Sequence, residues 1–113
     1  MSISTAWSRF RALTRHRAWA IRARATARRG LNEQALRFAQ KAVARAPSTE
    51  HYLLLAQILA KRGERDAAVL AVGQALALGT FDPEVVRSDP GLATLLPDRE
   101  LEDLLDAAAR RLR

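Results

Sequence analysis

The 113-residue chain is long enough for one small domain with a modest core, and 23 alanines against five glycines and four prolines favour closely packed helices. Without cysteine, and with only His16 and His51 far apart in sequence, disulfide frameworks, thiolate metal sites and histidine metal clusters are excluded. The net charge of +7 is segregated: residues 1–48 carry eleven bases against Glu33 alone, a balance of +10, and residues 49–113 carry eight bases against eleven acids, a balance of −3.

The first segment, "SISTAWSRFRALTRH", sets Ile3, Trp7, Phe10 and Leu13 at helical spacing with Arg9, Arg11 and Arg15 away from that stripe, which predicts an amphipathic helix over 3–15. Such a helix has three uses: it caps the helices C-terminal to it, it docks into another protein through Trp7 and Phe10, or it lies on an anionic membrane surface. Residues 1–30 are also rich in Arg, with Ser and Thr and no acid, as organelle import leaders are, and a cleaved leader would end by about residue 15 so as to spare the helix that follows. An uninterrupted apolar signal-peptide core is not present near the start.

From residue 16 the chain repeats itself. "HRAWAIRARATARRG" (16–30) aligns without a gap with "TEHYLLLAQILAKRG" (49–63), pairing Trp19 with Tyr52, Ala23 with Ala56, Ala27 with Ala60 and Gly30 with Gly63. Each segment predicts a helix that packs through its small residue and stops at a glycine able to take the left-handed conformation. After the first glycine, Ala35, Leu36, Ala39, Ala42 and Val43 form the stripe of a second helix ended by Pro47. After the second, Ala68, Val69, Val72, Ala75 and Leu76 do the same, ended by Gly79. Two helical hairpins result, over 16–48 and 49–80. The longest apolar run, "YLLLAQILA" at 52–60, is well short of the ~20 residues that cross a bilayer.

Over 81–113, Asp82 before Pro83, Asp89 before Pro90, and Asp98 with Glu100 after Pro97 mark the starts of short helices. Spaced leucines lie between and beyond them, and the segment reads as a cap on the second hairpin.

At these positions the chain resembles the tetratricopeptide repeat family, whose pattern of aromatic, small residue, Gly, small, small and Pro is held by Trp19, Ala23, Gly30, Ala35, Ala42 and Pro47, then by Tyr52, Ala56, Gly63, Ala68 and Ala75. The tail, with Leu78, Gly79, Asp89, Pro90, Leu92, Leu95, Leu96, Leu101 and Leu104, is similar to those that close many bacterial arrays of the family. The first repeat departs from the pattern, with Arg22 and Thr26 where the second has Leu55 and Leu59. The resemblance implies an all-α, right-handed α-solenoid of two hairpins between an N-terminal helix and short C-terminal capping helices. It also implies an inner groove lined by Arg17, Ala20, Ile21, Arg24, Ala27 and Arg28 of the first hairpin and by Glu50, Leu53, Leu54, Gln57, Ala60 and Lys61 of the second. The family's carboxylate clamp is not reproduced, because Ala20, Arg24 and Leu54 replace the Lys and Asn it needs.

No glycine-rich phosphate loop, HExxH, GxSxG or CxxC is present. His16 and His51 read as helix-surface residues, and Asp82, Asp89 and Asp98 as N-caps, so neither catalysis, metal nor cofactor is expected. Binding is expected instead. Arg17, Arg24 and Arg28 share one helix face, which with Gln57 and Lys61 suits an acidic or carboxylate-bearing protein segment. That segment belongs to a partner, or to a neighbouring copy through the acidic stretch "DRELEDLLD" at 98–106. Nucleic acid is a weaker expectation: only two lysines and few aromatics are present, and the half from 49 onward is acidic. The expected setting is the bacterial cytoplasm, with an organelle as the alternative.

Overall fold

The computed structural model describes residues 17–79 and 81–112. The N-terminal stripe of Ile3, Trp7, Phe10 and Leu13, and with it the capping, docking and membrane uses of Trp7 and Phe10, lies outside the described residues, as does His16. Among the described residues the regular structure is entirely helical: α1 over residues 17–28, α2 Asn32–Arg45, α3 Thr49–Lys61, α4 Arg65–Leu78, α5 Glu84–Ser88, α6 Pro90–Ala93 and α7 Arg99–Arg111.

The internal repeat is visible in the backbone. Gly30 and Gly63 have φ of +77° and +80°, the left-handed region that a Cβ disfavours. Around them the same pair of bonds closes each helix. Leu31 N–H donates to Thr26 O and Gly30 N–H to Ala27 O, both at 3.0 Å, while Glu64 N–H donates to Leu59 O and Gly63 N–H to Ala60 O, also at 3.0 Å. One turn thus recurs at a spacing of 33 residues and sends the chain back along the helix it has just left.

Alanine decides how α1 and α2 meet. Ala20 and Ala23 of α1 are buried with Ala35, Ala39 and Ala42 of α2, and Leu54 and Ile58 of α3 close this cluster. Side chains this small bring backbones close together, so the pair buries little apolar area per residue and depends on contact density. At its edge Trp19 stacks on Phe38, with ring centroids 5.7 Å apart and planes at 24°. The Arg22 guanidinium lies 5.1 Å and the Lys41 ammonium 4.5 Å from the Trp19 centroid. The irregularities of the first repeat are thereby accounted for: Arg22 covers an aromatic ring, and the Thr26 hydroxyl donates back to Arg22 O at 2.7 Å and Ala23 O at 3.1 Å.

Helix α3 begins at Ser48, whose hydroxyl accepts from His51 N–H at 3.1 Å, and it runs antiparallel to α4, with Thr49 Oγ1 donating to Ala75 O at 3.3 Å. His51 is not the surface residue expected. It is only 6 % exposed, and its Nδ1 lies 2.8 Å from Ala46 O, so the ring ties the end of α2 to the start of α3. All five predicted stripe residues of α4 are buried; in α2 the three alanines are buried, and Leu36 and Val43 are half-buried.

The C-terminal segment completes the larger core. Val86, Leu92, Leu95, Leu101 and Leu105 are fully buried in one cluster with Leu59, Val69, Val72 and Leu76. Asp89 Oδ1 accepts from Gly91 and Leu92 N–H, and Asp98 from Leu101 N–H, as N-caps do. Asp82 is shifted by one residue: Pro83 holds the cap position of α5, and the Asp82 carboxylate accepts from Glu84 N–H at 3.0 Å. Nor are all the closing helices short, since α7 has 13 residues. Arg65, at the start of α4, donates to Thr94 O and Leu95 O, both at 2.8 Å, satisfying carbonyls that α6 leaves open.

Candidate partner-binding groove

Helices α1 and α3 face one another across a groove of about 330 Å³ that α6 closes at one side. From α1 come Arg24, Ala27 and Arg28; from α3 come Leu54, Gln57, Ile58 and Lys61; from the start of α6 come its cap Asp89 and Gly91. Residues three and four apart on a helix share a face, which is why each helix contributes in this rhythm. Leu54 and Ile58 also belong to the smaller core, so the groove has an apolar floor. Arg24, Arg28 and Lys61 are exposed, and no ion pair among the described residues involves them.

Two polar side chains fix the far wall. Gln57 Nε2 donates to Asp89 Oδ2 at 2.5 Å, while Asp89 Oδ1 holds the first N–H groups of α6 at 2.9 and 3.1 Å. Asp89 therefore does more than the capping read from the sequence, joining α3 to the closing segment. Its carboxylate also orients the Gln57 amide, because a carboxylate accepts and so faces the NH₂ group.

Of the predicted site residues, Arg24, Arg28, Gln57 and Lys61 line this groove together. Arg17 is exposed but stands outside the lining, ~10 Å further along α1 at 1.5 Å per residue. Ala20 is a correction. Expected on the groove wall, it is 3 % exposed inside the α1–α2 cluster, while its neighbour Ile21, expected there too, is 64 % exposed but outside the lining. Leu53 and Ala60 pack against the larger core, and Glu50 is exposed away from the groove.

Three lining residues lie beyond those the sequence predicts. Ile58 follows Leu54 by one helical turn, a signal the periodicity of α3 contains. Asp89 and Gly91 are more than thirty positions from Gln57 and Leu54 in sequence, and no local pattern announces that contact.

The groove presents two guanidinium groups and one ammonium as donors over an apolar floor, with the Gln57 amide engaged by Asp89 at its wall. Groups of this kind are chemically suited to carboxylates, through charge-assisted and bidentate bonds. A second depression, about 440 Å³ between α4 and α7, is lined by Tyr52, Leu70, Leu78 and Leu104 with Glu100 as its one charged group. Among the described residues no group of three or more His, Cys, Asp or Glu side chains is placed to hold a metal ion, and no helix is long and apolar enough to cross a membrane. No protein-family model, no curated protein and no solved structure matches this chain.

Proposed function

We propose that the chain is a non-enzymatic protein-interaction module of the tetratricopeptide type, a right-handed two-hairpin solenoid that serves as adaptor, scaffold or accessory subunit in the bacterial cytoplasm. Its α1–α3 groove holds an acidic segment of a partner. The carrying observation is the convergence of Arg24, Arg28 and Lys61 around an apolar floor with no acid paired to any of them among the described residues. Asp89, the one carboxylate in the lining, is already held by two backbone N–H groups and Gln57. Affinity purification from the native source recovers a stoichiometric partner, and the double variant Arg24→Glu, Arg28→Glu loses it while keeping its helical circular dichroism. Undiminished capture by that variant would sink the assignment.

A neighbouring copy is a weaker occupant. In the stretch 98–106, Asp98 caps α7 and both Glu102 and Asp106 lie within 3.7 Å of Arg87, which leaves Glu100 and Asp103 for a second molecule. Light scattering at low salt therefore gives a monomer mass that does not change with concentration.

One observation favours nucleic acid as the alternative ligand: Arg29, Arg37, Lys41 and Arg45 extend the exposed basic surface beyond the groove. Phosphate contacts would make affinity fall steeply with salt. A titration at 50 mM salt that gives no binding to single-stranded DNA or RNA removes this alternative.

A further inference from the structure

We infer that the groove selects a protein segment in which carboxylates are interleaved with apolar side chains and which lies lengthwise along α1, and that it discriminates against a uniformly charged polyanion. This rests on the proposed use of the groove and adds the composition of its ligand.

The first ground is the stripe formed by Arg17, Ile21, Arg24 and Arg28, at steps of four, three and four residues on one face of α1; Arg24 and Arg28 line the groove, and Ile21 and Arg17 carry the same face beyond it along the helix. Three members are exposed cations. The fourth, Ile21, is a large apolar side chain 64 % exposed in their midst, and it belongs to neither core cluster. A ligand made of charge alone leaves that side chain in water and gains nothing from it. An apolar residue placed between two carboxylates covers it. The same alternation is repeated across the groove, where Lys61 stands beside the Leu54–Ile58 floor.

The second ground is the Gln57–Asp89 pair. With its Nε2 engaged by Asp89, the Gln57 amide keeps its carbonyl oxygen as an acceptor at the groove wall. A peptide backbone supplies N–H donors to such a group, and a phosphodiester backbone supplies none. Asp89 also places a negative charge in the lining, which raises the cost of a dense row of anions passing it.

The helix also sets the spacing of the ligand. Arg17 and Arg24 are ~10 Å apart along the axis and Arg24 and Arg28 ~6 Å. An extended chain advances ~3.3 Å per residue and turns every second side chain to the same face, so a carboxylate, an apolar residue and a carboxylate at successive second positions span ~13 Å, within the ~16 Å from Arg17 to Arg28.

The experiment uses the full chain and three labelled probes read by fluorescence anisotropy: a nine-residue peptide with Glu at its positions 1, 5 and 9, Leu at 3 and 7 and Ser between them, so that Glu and Leu alternate along one face, the same peptide with Ser for Leu, and a nine-nucleotide oligothymidylate. The two peptides carry equal charge. The Glu–Leu peptide binds about tenfold more tightly than the Glu–Ser peptide, the size expected for one covered apolar side chain. Ile21→Ser, at an exposed position, removes most of that preference by bringing Glu–Leu affinity down toward that of the Glu–Ser peptide. Arg24→Glu with Arg28→Glu abolishes binding of both peptides. Equal affinity for the two peptides, unaffected by Ile21→Ser, overturns the inference and leaves the acidic-segment groove standing. Failure of both peptides to bind, or tighter binding of the oligonucleotide than of either, overturns both.

Discussion

Gly63 shows how much one residue carries here. It stops α3 with a φ of +80°, and nothing lies within 4 Å of where a Cβ would sit, so a side chain there meets conformational strain and no steric barrier. Gly63→Ala therefore costs ~1–2 kcal/mol, the ordinary penalty for an L-residue in the left-handed region. Differential scanning fluorimetry should register this as a fall in Tm of several degrees, roughly 4 °C or more per kcal/mol at this chain length. A change of a degree or less would show that the turn does not hold this geometry in solution. Both glycine turns are legible in the sequence, because no other residue type serves the left-handed position as well. Ala20 marks the limit of that legibility. Neighbouring helix residues point ~100° apart, and Ala20 rather than Ile21 is the one that turns inward, joining the buried alanines Ala35, Ala39 and Ala42 of α2. The burial of His51 is hidden from the sequence for a similar reason, since it depends on Ala46 O lying within 2.8 Å across the α2–α3 joint.

Among the elements, α6 is the least self-sufficient and the most informative. Four residues cannot form a stable helix alone. It is held at its start by Asp89, which is also bound to Gln57 of α3, and at its end by the Arg65 fork on Thr94 O and Leu95 O. Arg65→Ala leaves those two carbonyls to water and loosens the segment against α4. Hydrogen exchange measured by mass spectrometry should quicken over residues 90–96 while protection in α2 stays as in the parent chain. Uniform quickening across the whole chain, or none, would contradict this role. The existence of these closing helices can be read from Asp–Pro pairs and spaced leucines, since capping is a local matter. Their packing cannot, because the contacts of Leu92, Leu101 and Leu105 with Leu59, Val69, Val72 and Leu76 join residues far apart in the chain.

At the scale of the whole molecule, the charge division in the sequence admits two explanations: complementary halves that neutralise each other within one fold, or a basic surface kept for something else. The placement of the acids favours the second. Among the described residues, Glu84, Glu102 and Asp106 surround Arg87, Glu33 and Glu64 face Arg62, and Asp82, Asp89 and Asp98 serve backbone N–H groups. None of them reaches Arg17, Arg24, Arg28 or Lys61. Surface ion pairs contribute little to stability, ~1 kcal/mol or less each, so the uncompensated face is tolerated rather than favoured by the fold. Arg24, Arg28 and Lys61 are legible from helical periodicity on α1 and α3, and their meeting at one groove follows from the like placement of those two helices, whereas Arg17 is displaced along α1. The groove's far wall depends on the closing segment and is not legible.

The most direct test of the central claim is an amide-shift titration of the isotopically labelled chain with an acidic peptide. Binding in the groove shifts amides around residues 24–28, 54–61 and 89–91, with smaller changes on the outer face of α2. Shifts concentrated instead around Arg37, Lys41 and Arg45, or no shifts at all, would contradict it.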